Sequence, residues 1–287
     1  VSRGACPELY SATIEVCRIL EIELDEEALK GASCTGAGVL QEKNLRLGDT
    51  LNARTFAMAE KSGNPLMTIC STCQGVMSQA NERLLADPEY LASINEDLTE
   101  EGLEYKGTAD PKHLLWIIAE DLGMDFLESK IVNKLNGLKL APFYGCYIVR
   151  PTKALGFAEN PGRKQALEMV IESVGGEVVD FPGKTLCCGF PILTINPKNS
   201  VNMVANHTID AKDRGADAMV TPCPLCHLNL DGYQPNAASE RNREIDFPIT
   251  PLPQLLGLAL GISPEAMRLN KHIVSTKKLL SELVISP

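Results

Sequence analysis

Ala218-Met219-Val220-Thr221-Pro222-Cys223-Pro224-Leu225-Cys226 is the stretch from which the fold is read. Four uncharged residues bounded by Pro222 read as a short strand, and the C-x-x-C sits where the chain leaves it. The arrangement occurs once more: Leu66-Met67-Thr68-Ile69 leads into Cys70-Ser71-Thr72-Cys73, 153 positions earlier. Cys34 and Cys188 repeat at an offset of 154. The chain therefore reads as a duplication of one structural unit.

Working outward, each C-x-x-C follows a helical segment, Leu51–Lys61 in the first half and Asn199–Arg214 in the second. Each helix follows a cysteine loop, Gly31-Ala32-Ser33-Cys34-Thr35-Gly36 or Thr185-Leu186-Cys187-Cys188-Gly189. Before the loops come the extended stretches Glu21–Leu24 and Glu177–Phe181, and before those the helical stretches Glu8–Leu20 and Gly162–Val174. Strands alternating with helices predict an α/β fold. Its two pseudo-repeated units carry short parallel strands flanked by helices, with the cysteines at strand ends.

The second half opens on a strand, Leu138–Tyr144, just before Gly145-Cys146. The first half has no counterpart, because Val1 stands five residues before Cys6; a native chain beginning upstream of Val1 is expected. The repeats divide the chain into 1–137, with an inter-repeat segment, and 138–287. In that segment Asp87–Asp110 reads as polar and turn-rich, and Pro111–Gly123 as a packing helix around Trp116. Leu252–Ile262 is the most apolar stretch and reads as a buried helix, with a partner-docking surface as the lesser alternative.

The 287 residues carry a formal net charge of -10 and no lysine or arginine run, which excludes a phosphate-tracking surface and makes nucleic acid an unexpected partner. No stretch of about 18 apolar residues and no leader pattern occurs, so a cytoplasmic location without a transmembrane segment is expected. In a reducing compartment, ten cysteines are better read as metal ligands or redox thiols than as disulfides. Cys17 falls in a helical apolar pattern and reads as core. His227 follows Cys226 and can donate to a cluster sulfur, whereas His113, His207 and His272 have no ligand-like spacing.

One C-x-x-C alone fits a redox dithiol or part of a metal site. The second half offers Cys146, then Cys187-Cys188 after forty residues, then Cys223 and Cys226 after thirty-four more. Five thiols exceed the two of a dithiol and the four of a zinc site. Adjacent Cys187 and Cys188 would face opposite sides of a regular strand, so convergence needs an irregular loop, which Gly189 can supply. A centre with several irons accommodates such neighbours better than a single ion, so iron–sulfur is preferred over zinc.

Cys146, Cys187-Cys188-Gly189 and Cys223-Pro224-Leu225-Cys226 resemble the cysteine-rich CCG domain, which occurs twice in the B-type subunit of heterodisulfide reductase. The likeness continues through Leu228–Gln234 and Leu252–Gly261. It implies a non-cubane [4Fe-4S] cluster held by Cys146, Cys187, Cys188, Cys223 and Cys226. The first half departs from the pattern at Ser33, which stands where the first cysteine of the pair would be. Its metal set is expected to be Cys6, Cys34, Cys70 and Cys73, holding a second iron–sulfur cluster or zinc.

The resemblance further implies an oxidoreductase subunit, active with iron–sulfur and flavoprotein partner subunits, that carries electrons for thiol/disulfide conversion. The alternative it implies is an electron-transfer and anchoring subunit of a succinate:quinone oxidoreductase or fumarate reductase complex. The substrate is then a disulfide or a quinone, and peripheral membrane association comes through partners.

Overall fold

A computed structural model describes residues 4–282, and the chain divides into two compact units. The larger comprises Val1–Glu23, Leu115–Cys146 and Gly162–Pro287; the smaller comprises Leu24–Leu114 and Tyr147–Pro161. Sequence repetition suggests a division at 137/138, whereas compactness follows these threaded segments.

In the smaller unit β1 (Leu66–Thr68) pairs in parallel with β2 (Pro111–His113), Leu66 opposite Pro111 and Thr68 opposite His113. β1 lies where the sequence predicts it. β2 corrects the helix expected over Pro111–Gly123: extended chain comes first, then the short helix Leu114–Trp116 and a π-helical stretch, Ile117–Leu122. Pro111 is tolerated because it opens the strand.

The expected polar turns of Asp87–Asp110 contain a helix, Pro88–Leu98. Its start is well signalled, with the Asp87 carboxylate accepting from the Tyr90 N–H at 2.9 Å and Pro88 in the first turn. Ile94 and Leu98 turn inward to join Phe56, Leu66, Met77, Leu84 and Tyr105 in the core. Two polar clamps close this unit. Gln74 accepts from Thr68 at 2.8 Å and donates to the Pro111 carbonyl at 2.6 Å, tying both strands to the helix Ser71–Ala86. The fully buried Asp49 carboxylate accepts two bonds from Arg83, at 2.6 and 3.0 Å, and one from Tyr90.

The larger unit holds β3 (Lys139–Pro142), β4 (Glu177–Val178), β5 (Ala218–Thr221) and β6 (Ile249–Pro251), all parallel, in the order β4-β3-β5-β6. Every residue of β5 is buried, as befits a central parallel strand covered on both faces. Asp217 sets the β3–β5 register: its carboxylate accepts from the Lys139 N–H at 2.8 Å while its own N–H donates to the Lys139 carbonyl at 2.7 Å.

The extended stretch expected at Glu21–Leu24 is not a strand. Glu21 takes a left-handed φ of 60° and the chain continues irregularly. All eight residues of the helix Leu252–Ala259 are buried, and it packs on the helix Pro7–Ile19. The apolar stretch is thus core rather than a docking face. Cys17 is fully buried, as expected. Among the described residues no helix is long and apolar enough to cross a membrane.

Candidate metal centres

The larger unit brings its five cysteines together from three places. Cys146 follows β3 across Gly145; Cys187 and Cys188 lie in the irregular turn after β4; Cys223 N-caps the helix Pro224–Gly232 that leaves β5, with Cys226 in its first turn. Their sulfurs lie near enough to perturb one another's ionisation pairwise, Cys146 with Cys187, Cys187 with Cys188, Cys188 with Cys226 and Cys226 with Cys223. Cys188, Cys223 and Cys226 are buried, and Cys146 and Cys187 are partly exposed.

The crowding has an electrostatic consequence. Contacts from Cys146 and Cys188, then the Gly189 N–H at 3.4 Å and the nearby His207, hold the Cys187 thiol far below its usual range. The neighbouring Cys187 sulfur pushes Cys146 up, and Cys188 and Cys223 push Cys226 up, burial adding to both. Crowded sulfurs of this kind resist ionising together. Five thiolates there need compensating positive charge, and the helix N-terminus at Cys223 supplies only about half a charge. A multi-iron centre fits this donor set.

The cradle is built by residues distant in sequence. Asn229 donates to the Cys188 carbonyl at 2.7 Å and contacts Ser200, and His207 Nε2 lies 2.9 Å from the Cys187 carbonyl. The Tyr144 N–H donates to the Lys184 carbonyl at 2.8 Å, fixing the exit of β3 against the loop. Gly145 has φ +71°, and a Cβ there would lie 2.9 Å from the Cys226 sulfur. Gly189 has φ +94° and would meet Ser200 at 3.0 Å. Only glycine satisfies both demands at these positions. His207, which has no ligand-like spacing in the sequence, is thus a loop clamp. Asn229, Ser200 and Gly145 are equally silent in the sequence, because polarity or small size carries no signal until the fold places them.

In the smaller unit Cys70 N-caps the helix Ser71–Ala86, Cys73 lies in its first turn, and Cys34 comes from the loop before. The Cys34 thiol is in hydrogen-bonding contact with Cys73, which pushes it up, and Thr35 Oγ1 donates to the Cys73 sulfur at 3.6 Å. Cys34 and Ser33 are exposed. Cys6, grouped with these three by sequence, lies instead in the larger unit. It is fully buried at the start of the helix Pro7–Ile19, with its thiol directed at the Pro224 carbonyl at 3.8 Å. Burial, then Glu8 and Cys223, push it up to about 12, the behaviour of a buried neutral thiol.

The α/β unit with cysteines gathered at the carboxyl ends of parallel strands defines the class: the chain belongs to the cysteine-rich domain family, CCG, whose pattern matches residues 1–78 and 140–231. Membership implies iron–sulfur clusters. The chain is 34% identical over 264 residues to the 8-methylmenaquinol:fumarate reductase membrane anchor subunit of Wolinella succinogenes, covering 92% of this chain and 90% of that one. It is 32% identical over 282 residues to the B-type subunit of the ferredoxin/F420H2-dependent CoB-CoM heterodisulfide reductase of Methanosarcina acetivorans, covering 96% and 92%. A crystal structure of a hypothetical protein from Helicobacter pylori shares the fold, with a TM-score of 0.64 at 16% identity. The match covers 88% of this chain and 50% of that one.

Proposed function

We propose that this chain is the iron–sulfur subunit of a heterodisulfide reductase-like complex and carries electrons for thiol/disulfide conversion. In this reading Cys146, Cys187, Cys188, Cys223 and Cys226 hold a non-cubane [4Fe-4S] cluster. Cys34, Cys70 and Cys73 hold a smaller iron–sulfur centre or zinc. The gathering of five mutually perturbing cysteines in the larger unit carries the proposal.

When bound, such a cluster supplies one-electron transfer and iron with affinity for sulfur. The chain's own residues do the rest. The Gly189 N–H donates to the Cys187 sulfur, favouring its thiolate. Asn229 and His207 hold the two loop carbonyls and so fix the turn that carries Cys187 and Cys188. Cys188, Cys223 and Cys226 are shielded from water while Cys146 and Cys187 are partly open, which leaves one side for a substrate to approach. Reduction of a disulfide takes up two electrons and two protons and releases two thiols, so the electrons come from partner iron–sulfur and flavoprotein subunits.

The 34% identity to a fumarate reductase anchor subunit supports a second reading, an electron-transfer and anchoring subunit of a succinate:quinone oxidoreductase or fumarate reductase complex. Purifying the tagged chain with its native partners separates the two. Reduced viologen and small heterodisulfides test the first, and quinol-dependent fumarate reduction tests the second. Iron and acid-labile sulfide analysis with paramagnetic resonance of the oxidised protein tests the shared premise. Two zinc ions and no iron would overturn both.

A further inference from the structure

Beside the cysteine centre, three side chains of the larger unit converge that belong to no cysteine set. His227 and Asp231 stand one turn apart on the helix Pro224–Gly232, and His272 approaches from the segment after the apolar helix. Each offers an atom able to bind a metal, and these atoms lie within 4.8 Å of one another. His227 and Asp231 are 2% and 3% exposed, and the imidazole rings lie 4.7 Å apart between centroids.

The hydrogen bonds decide which ring nitrogens are available. The Gln254 amide nitrogen donates to the Met267 carbonyl at 3.0 Å, so its oxygen is the atom facing His272 Nε2 at 2.7 Å. His272 therefore carries its proton on Nε2 and a lone pair on Nδ1. The buried Glu8 carboxylate lies 3.6 Å from His227 Nε2, favouring the same tautomer there. His227 Nδ1 and His272 Nδ1 are both buried and both lack a hydrogen-bond partner. Two such orphaned acceptors are costly, about 1–3 kcal/mol each, unless something electron-poor faces them. Asp231 is pinned by the Ile273 and Val274 N–H groups at 2.7 and 3.1 Å, which holds the His272 segment against the helix and leaves a lone pair on each oxygen.

The geometry points to a divalent transition-metal site, of zinc type, with His227 Nδ1, His272 Nδ1 and the Asp231 carboxylate as ligands. Two imidazoles and a carboxylate form a zinc-type donor set. The outer partners follow the rule that a metal-bound imidazole is oriented by an oxygen acceptor at its other nitrogen, here Glu8 and Gln254. Zinc–ligand bonds of about 2.0–2.1 Å place ligand atoms roughly 3.3 Å apart, so binding draws the three groups together by about 1.5 Å or less. The site uses none of the cysteines as ligands, although His227 directly follows Cys226.

Zinc K-edge absorption tests it, on full-length protein carrying its clusters, incubated with zinc sulfate and dialysed. The expected result is retained zinc with a first shell of nitrogen and oxygen only. His272→Ala should lower that retention at least about tenfold while iron content and the cluster resonance stay unchanged. Zinc at the smaller unit's cysteines would show sulfur neighbours, which keeps the two sites distinct. Wild-type protein that retains no zinc, or only sulfur-bound zinc, overturns the inference whether or not the variant folds. Undiminished nitrogen/oxygen-bound zinc in a folded His272→Ala protein overturns it as well.

Discussion

The two C-x-x-C turns are near copies, each delivered by a short parallel strand to the N-terminus of a helix, yet they are set in different surroundings. β5 is a central strand, with β3 on one side and β6 on the other. Among the described residues β1 has β2 alone beside it. β3 delivers Cys146 in the larger unit, and among the described residues the smaller unit has no equivalent strand. There the paired cysteines are replaced by exposed Ser33 and Cys34, whereas Cys188 is buried and its carbonyl is held by Asn229. A C-x-x-C turn is thus a reusable part, and the neighbouring strand and loop decide how many sulfurs meet at it.

The largest effect expected from breaking the comparison is at Cys188. Cys188→Ser removes the sulfur that links Cys187 to Cys226, and should abolish the larger unit's cluster while metal bound by Cys34, Cys70 and Cys73 persists. Iron per chain and the oxidised resonance spectrum check this; equal loss from both units would mean that the centres do not assemble independently. Next comes Asn229→Ala, which frees the Cys188 carbonyl without touching a ligand. Such outer contacts typically count for about 10–100-fold in metal affinity, read here by competition with a chelator. Gly189→Ala should act alike and also cost stability, since its left-handed φ and its approach to Ser200 leave a methyl no place.

A fourth variant acts on the smaller unit alone. Asp49→Ala leaves Arg83 and Tyr90 without their shared buried acceptor and should destabilise that unit by about 2–3 kcal/mol, with Arg83's partial exposure moderating the loss. Hydrogen exchange resolved by peptide should show loosening within Leu24–Leu114 and unchanged protection over β3, β5 and β6. Uniform loosening would make the units one cooperative body.

What sequence could read of this architecture follows from where each signal resides. β1 and β5 are short apolar runs ending in cysteine, so pattern and motif agree. β2 is Pro111-Lys112-His113, three residues without strand character, held by pairing to Leu66–Thr68 and by the Gln74 clamp. Tertiary pairing overrides propensity there. The helix Pro88–Leu98 was legible in Asp87-Pro88, a cap followed by a first-turn proline, but its polar outer face obscured it. At the site, ligand identity was carried by spacing. The loop clamps act across 20 to 41 residues, from His207 to Cys187 and from Asn229 to Cys188, and became visible only in three dimensions.

The smallest and sharpest test is Ser33→Cys. The position is exposed, so stability should change by no more than about 0.5 kcal/mol. The substitution restores a cysteine pair in a loop already irregular, with positive φ at Gly31, Gly36, Ala37 and Gly38. If the serine alone separated the two units, a second resonance like that of the larger unit would appear. The expected result is otherwise, because among the described residues four thiolates would then meet at β1, and Cys6, the remaining candidate, is buried in the larger unit. The smaller unit should hold its zinc or iron more tightly against a chelator while the larger unit's resonance still integrates to one spin centre per chain. A doubled signal would show that one side chain decides which centre a CCG unit builds.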